Sequence, residues 1–319
     1  MTRIAVVGCG AFGVNHTRVL ADLGVLAGVF DADIARAQEI ATKHNCQAFA
    51  SLDKVEADAA VVAVPTRHHA EVGCALLARG LDVLVEKPIA ATLADADALI
   101  ATAARQNRIL QVGHLERFNP AVQAAQAIVT RPLFFEVHRM SVFSPRSLDV
   151  DVVLDLMIHD LDIVLALAQA EIEEIRAVGL AVLSKHVDIA NVRLVLANGC
   201  VANFTASRVS TEKIRKLRFF QAGQYVSVDY ARQDAMIFSV EAGEQEPGMP
   251  NIGFRRLETS AVPGSPDAEP LRAELRHFLE SVRTRSAPLV DGLAARRALD
   301  AALRIIGEIA AHSKRLGLS

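Results

Sequence analysis

The first 120 residues alternate short apolar runs with longer segments whose apolar positions recur every three or four residues. The runs at 4–7, 25–30, 59–64, 83–85 and 109–112 are apolar at consecutive positions, so both faces of each need cover, as in a parallel sheet between two layers of helix. Helical periodicity fills the intervals at 15–23, 34–44, 70–79 and 93–106, with Asp33 placed to cap the second of these helices. Strand–helix alternation of this kind predicts a doubly wound α/β domain.

The pattern changes after Pro120. A short helix, a strand at 133–141 and an apolar helix at 152–168 are followed by strand-like runs at 175–183, 190–196, 201–209, 217–220, 225–230 and 236–240 with no helix between them. Short turns such as Ala197-Asn198-Gly199 join these runs, which predicts a large, mainly antiparallel sheet. Residues 241–270, rich in Gly, Pro and Glu, read as an exposed excursion, and helices at 271–282 and 293–312 close the chain. The expected fold class is α/β: a dinucleotide-binding domain over 1–119, then an α+β domain over 120–319 whose terminal helix can pack back on the first.

Composition narrows the function. A chain of 319 residues has room for two cores, and with 51% hydrophobic and 22% charged residues it is a folding sequence. A formal net charge of -3 provides no basic footprint for nucleic acid or an anionic membrane, which leaves small molecules and further copies of the chain as partners. Cys9, Cys46, Cys74 and Cys200 are scattered, which suits a reducing compartment better than a disulfide framework. The amino-terminal apolar run stops at a glycine loop and reads as a strand, and no stretch reaches the roughly 18 apolar residues of a membrane span. A cytoplasmic protein is expected.

Gly8-Cys9-Gly10-Ala11-Phe12-Gly13 is a GxGxxG run placed between the first strand and the first helix. Glycines let the chain turn sharply and let a pyrophosphate approach the free amides of the helix start. Asp31 follows at the end of the second strand, where a carboxylate accepts from ribose hydroxyls and repels a 2′-phosphate, so NAD is the expected cofactor. Asp33 is the rival acid, adequately explained as a cap.

Two further segments carry candidate chemistry. Glu86-Lys87-Pro88 ends a buried strand at the edge where open α/β sheets bind ligands. Lys87 there could hydrogen-bond a reacting hydroxyl; an exposed Glu-Lys pair at a loop mouth is the plain alternative. In the apolar helix, Asp155, His159 and Asp162 fall at i, i+4 and i+7 on one face. An aspartate one turn from a histidine can orient the imidazole, so His159 is the candidate base and Asp155 its polarising or substrate-binding neighbour, against the alternative of a satisfied core histidine. A zinc site would need a third ligand that the sequence does not offer, and no metal is expected.

These residues together resemble the glucose-fructose oxidoreductase / inositol dehydrogenase / MocA family over essentially the whole chain: the glycine loop, Glu86-Lys87-Pro88, and Asp155-x-x-x-His159 opening a helix of an α+β domain. The resemblance implies that Lys87 and His159 flank the reacting carbon and that Asp155 helps hold the substrate. It also implies cofactor contacts by Gly8, Gly10, Ala11, Phe12, Gly13, Asp31, Glu86 and Lys87, and by Pro65, Thr66 and His69 of the segment Pro65-Thr66-Arg67-His68-His69, where Thr66 replaces the usual Asn and His69 keeps the family position, with helix capping as its alternative role. The segment 113–120, with 143–146 and 206–210, is similar to a subgroup that oxidises C3 of UDP-N-acetylglucosamine, a step toward 2,3-diamino sugars of lipid A. A free polyol such as inositol is the alternative substrate, and a non-catalytic NAD(H) sensor the alternative from another class. For a UDP-sugar, Arg117, Asn119 and Arg146 join Asp155 and His159 as expected substrate-binding residues, the arginines facing the diphosphate or, alternatively, serving ordinary ion pairs. The family likeness implies a homodimer or homotetramer through the C-terminal sheet.

Overall fold

The apolar run Ile4–Val7 forms strand β1, none of whose residues is exposed. Helix α1 (Ala11–Asp22) leads to β2 (Leu26–Phe30), α2 (Ile34–His44) to the short β3 (Gln47–Ala48), and the chain then crosses to β4 (Ala59–Val62). α3 (His69–Ala78), β5 (Asp82–Glu86), α4 (Leu93–Arg105) and β6 (Leu110–Gly113) complete the series. All six strands are parallel, in the order β3-β2-β1-β4-β5-β6. β1 therefore lies between β2 and β4, and the connections leaving their carboxyl ends diverge and open a crevice there. Asp33 caps α2 as its position suggests, accepting from the Arg36 amide at 3.2 Å. The structure, a computed structural model, describes residues 2–144, 150–246, 249–261, 264–265 and 268–317.

After α5 (Pro120–Gln126) and β7 (Pro132–Met140), a π turn at Val153–Met157 runs into α6 (Ile158–Ala168). The strands β8 (Ile172–Leu180), β9 (Ile189–Leu196), β10 (Val201–Ser207), β11 (Ile214–Gln221), β12 (Gln224–Asp229), β13 (Asp234–Glu246) and β14 (Met249–Arg256) follow. With β7 they make an eight-stranded sheet in the order β14-β13-β12-β11-β7-β10-β9-β8. Every pairing is antiparallel except β10 on β7, which is parallel with Val201 opposite Phe134. One face of this sheet is dry: Phe135, Val137, Leu217, Phe219, Val226, Val228 and Ile237 are at most 2% exposed. The expected excursion over 241–270 needs correction, because its first part is the β13–β14 hairpin with Phe238 opposite Phe254. Ile252 and Phe254 alternate as a strand requires, a signal that the surrounding Gly and Pro composition hid.

α7 (Pro270–Thr284) and α8 (Gly292–Arg315) end the chain. Leu275, Phe278, Leu279 and Val282 of α7 belong to the core built from β1, α1 and α2, and Arg285 just beyond the helix pairs with Asp82 at the start of β5 (2.6 Å). The chain accordingly forms two compact units, Met1–Leu115 with Glu269–Leu299, and Glu116–Ala268 with Asp300–Ser319. The single cut expected at 119/120 is thus replaced by a cut at 115/116 and a return of the chain to the first unit. The sequence shows that α7 has an apolar face but not which surface that face covers. No described helix is long and apolar enough to cross a membrane.

Phe278 is fully buried in the first unit. Phe278→Ala is expected to cost about 3–5 kcal/mol of stability, read as a lowered urea midpoint when unfolding is followed by circular dichroism.

Candidate active site

At the carboxyl end of β1 the chain turns through Gly8 at φ +101°, where a Cβ would stand 2.5 Å from the Ala63 carbonyl oxygen. A Cβ on Gly13 would stand 1.8 Å from the Gly8 carbonyl oxygen, so α1 can start against the loop only with glycine at that position. Gly10, by contrast, has open space where its Cβ would point, and it precedes the first turn of α1, whose amides have no intrahelical acceptor. This is the cradle a pyrophosphate needs. Phe12, 59% exposed in that first turn, is available to cover a flat ligand.

Asp31 stands beside this loop at the end of β2. Its Oδ2 accepts from the Cys9 amide at 2.6 Å and its Oδ1 from the Asp33 amide at 2.8 Å, so the carboxylate is held in place and keeps lone pairs for ribose hydroxyls. Loop, helix start and acid fit NAD as a set. Cys9, between the first two glycines, is buried, and burial with the Asp31 charge pushes its thiol up to about 11, so it is a packing residue and not a nucleophile.

The ends of β4 and β5 form the adjoining wall of this unit. Pro65 is exposed and Thr66 opens a short 3-10 turn into α3. His69 is 1% exposed, and its Nδ1 and Nε2 each lie 2.9 Å from a carbonyl oxygen, of Pro88 and Val64 respectively. Burial holds the imidazole below its usual range, so the neutral ring donates its single N–H to one of these two carbonyls at the ends of β4 and β5. Glu86 is turned inward in the same way. Its Oε1 meets His16 Nε2 at 2.7 Å and its Oε2 accepts from the Lys87 amide at 3.1 Å. The Lys87–Pro88 peptide is cis, and Lys87 itself is half-buried at the strand end.

In the second unit the expected polar stripe of the apolar helix divides. Asp155, in the π turn, and His159, in the first turn of α6, are half-exposed, whereas Asp162 is 3% exposed. Asp162 lies 3.7 Å from Nε of Arg117, which is itself 7% exposed. Arg117 is thus buried with a carboxylate beside its Nε. Asn119 is engaged within the same unit: its Oδ1 caps α5 through the Ala121 amide (3.1 Å) and its Nδ2 donates to the Tyr230 carbonyl (3.0 Å). Arg146 lies outside the described residues.

Several residues were missed by the sequence reading. Arg139 forms a buried fork on Asp160 (2.6 and 3.0 Å), reaches Glu116 at 3.0 Å and lies 5.0 Å from the centre of the Tyr230 ring. Arg215, beside it on β11, is held below the usual guanidinium range by burial and by Arg139, while the carboxylates of Glu116, Asp160 and Asp155 oppose that shift. Arg215 also lines a cavity of about 610 Å³ with Lys213, Lys216, Arg218, Arg232 and His138. His16 did leave a signal, since it shares the buried face of α1 with Gly13, Thr17 and Leu20 at helical spacing. The others depend on strand register, which local pattern does not reveal.

Comparison with known proteins gives the same picture. Residues 2–114 match a family model described as an oxidoreductase family with an NAD-binding Rossmann fold, and residues 122–223 match a GFO/IDH/MocA C-terminal domain. The chain is 38% identical to a UDP-N-acetylglucosamine 3-dehydrogenase of Acidithiobacillus ferrooxidans, over 98% of this chain and 99% of that one. A solved structure of that enzyme superimposes with a TM-score of 0.90, covering 97% and 98% of the two chains. An inositol 2-dehydrogenase of Saccharopolyspora erythraea is 32% identical, over 50% of this chain and 52% of its own.

The geometry at Asp31 makes a specific demand. Asp31→Ala is expected to raise KM for NAD about tenfold or more, since each lost charge-assisted hydrogen bond is worth about 1.5–3 kcal/mol. It is also expected to narrow the preference for NAD over NADP. Steady-state titration with both cofactors checks this, and an unchanged ratio would remove Asp31 from the ribose site.

Proposed function

The chain belongs to the GFO/IDH/MocA family of NAD-binding oxidoreductases, and from that membership we propose that it oxidises the C3 hydroxyl of UDP-N-acetylglucosamine to a ketone. The observation that carries the substrate is 38% identity to the Acidithiobacillus enzyme along nearly the full length of both chains, against 24% along 91% of each for a myo-inositol 2-dehydrogenase of Thermotoga maritima. NAD, when bound, accepts the hydride. Gly8, Gly10 and Gly13 with the first turn of α1 hold its pyrophosphate, and Asp31 holds the adenosine ribose. Lys87 donates a hydrogen bond to the reacting hydroxyl oxygen and His159 takes the hydroxyl proton, with Asp155 orienting the imidazole and gripping the sugar. The diphosphate falls to Arg146 and to Arg215, which lies close enough to Asp155 to feel its charge.

A panel of UDP-sugars and polyols with NAD, followed by NADH absorbance and by product mass, tests the substrate. Turnover of UDP-N-acetylglucosamine with loss of two hydrogens is expected, and turnover of inositol alone would overturn the assignment. His159→Ala and Lys87→Ala are each expected to lower kcat about 10²–10⁴-fold, the range of general acid–base contributions. Arg215→Ala is expected to act mainly on KM for the UDP-sugar.

We further propose that the second unit's sheet is covered by another copy of the chain. On the face opposite the dry one, Phe134, Phe220, Tyr225, Phe238 and Phe254 form a ladder across five strands, with successive ring centres 5.6, 4.9, 5.1 and 4.5 Å apart. Phe254, Ile252 and Val240 beside it are about 60% exposed in the single chain. Light scattering is expected to give a dimer or tetramer for the wild type, and Phe238→Arg to give monomers that still bind NAD. A monomeric wild type would end this reading.

A further inference from the structure

Glu86 is the only charged residue at the end of β5, and two other titratable side chains of the first unit meet it: His16 from α1 and Glu274 from α7. One ligand-type atom of each lies within 4.8 Å of the others, and both His16 and Glu274 are 0% exposed. Glu86 has its donors, His16 Nε2 on one oxygen and the Lys87 amide on the other. Glu274 has none: neither carboxyl oxygen receives a hydrogen bond from the described residues, and only its main-chain carbonyl is engaged, by Gln111 Nε2 at 3.4 Å.

Two buried carboxyl groups this close do not both ionise. Burial by itself would push Glu86 up, but the hydrogen bond and charge of His16, with Lys87 behind them, bring it below the ordinary range. Glu274 has no such help, and burial together with the charge on Glu86 drives it well above the usual glutamate value. The pair thus has one anion and one acid, and the acid is the member on α7.

We propose that Glu274 is a positioning residue which, as a neutral carboxylic acid beside His16, keeps Glu86 seated on the backbone amide of Lys87 and so fixes the direction in which the lysine leaves the Pro88 turn. The proposal rests on the reading of Lys87 given above. An ionised Glu274 would repel Glu86. An acid supplies an O–H donor on the side of Glu86 that His16 and the Lys87 amide leave unserved, directly or through one water. The groups facing Glu274 are Glu86 from β5 and His16 from α1, with Lys87 acting through Glu86.

Infrared difference spectra of the wild type against Glu274→Gln at neutral pH test the protonation directly. The carbonyl stretch of a protonated carboxylic acid is expected in the wild type and not in the variant. Its absence from the wild type overturns the proposal, as does a stoichiometric divalent cation in the purified wild type that the variant loses. Kinetics test the positioning. Glu274→Gln, neutral and able to donate, is expected to keep kcat near the wild-type value. Glu274→Ala is expected to lose about tenfold or more in kcat with KM for NAD unchanged, as a small misplacement of a catalytic group does. Circular dichroism melts establish that both variants fold. Equal kcat in all three proteins overturns the positioning role. If Lys87→Ala retains wild-type kcat, the catalytic reading of Lys87 falls and the positioning role with it, while the infrared band still reports whether Glu274 is an acid.

Discussion

A carboxylate placed at the end of a fully buried strand must find hydrogen-bond donors, and the first unit is arranged around how Glu86 finds them. β5 is dry from Asp82 to Val85 and then presents Glu86, whose oxygens are taken by His16 and by the amide of the following lysine. His16 belongs to the helix that begins at the glycine loop. A single 2.7 Å contact therefore ties the dinucleotide cradle to the Glu-Lys-Pro turn. His69, at the start of α3, sits 2.9 Å from the carbonyls of both Val64 and Pro88 and donates to one of them, filling the space between the ends of β4 and β5. Lys87, the other charged residue of the turn, is half-buried.

The second unit meets the same constraint with opposite charge. Arg139 points from β7 into the dry face of the sheet, and Asp160 and Glu116 neutralise it while Tyr230 covers it. Arg117 and Asp162 form a second buried pair nearby in the same unit. Breaking either pair would strand an ion in an apolar interior, which is far costlier than an exposed mismatch. These pairs account for Asp160 and Asp162 of α6, whereas Asp155 and His159 are half-exposed. The π turn under Asp155 inserts an extra residue where the helix begins, a distortion commonly found where a side chain must be re-aimed.

Residues whose role is set by local geometry were legible in advance. Asp33 caps α2, Gly8 and Gly13 are required by a turn and a close helix approach, and the parallel strands lie where consecutive apolar residues run. Contacts that depend on a distant partner were not legible. Asn119 and His69 belong to motifs that resemble ligand-binding segments and also engage another part of their own unit, and Arg117 is buried 3.7 Å from Asp162. The β13–β14 hairpin was hidden for a different reason, because its alternating apolar residues sit among Gly and Pro that read as a loop.

By itself the sequence determined the periodic elements, the glycine loop with its acid, and the chemical types available at the site, because each depends on neighbours within a turn or a strand. Tertiary structure decided which of those polar groups are free to meet a ligand. A buried charge is neutralised by whichever partner the fold brings within about 3 Å, and for His16 and Arg139 those partners lie 70 and 21 positions away, a distance over which no local pattern carries information.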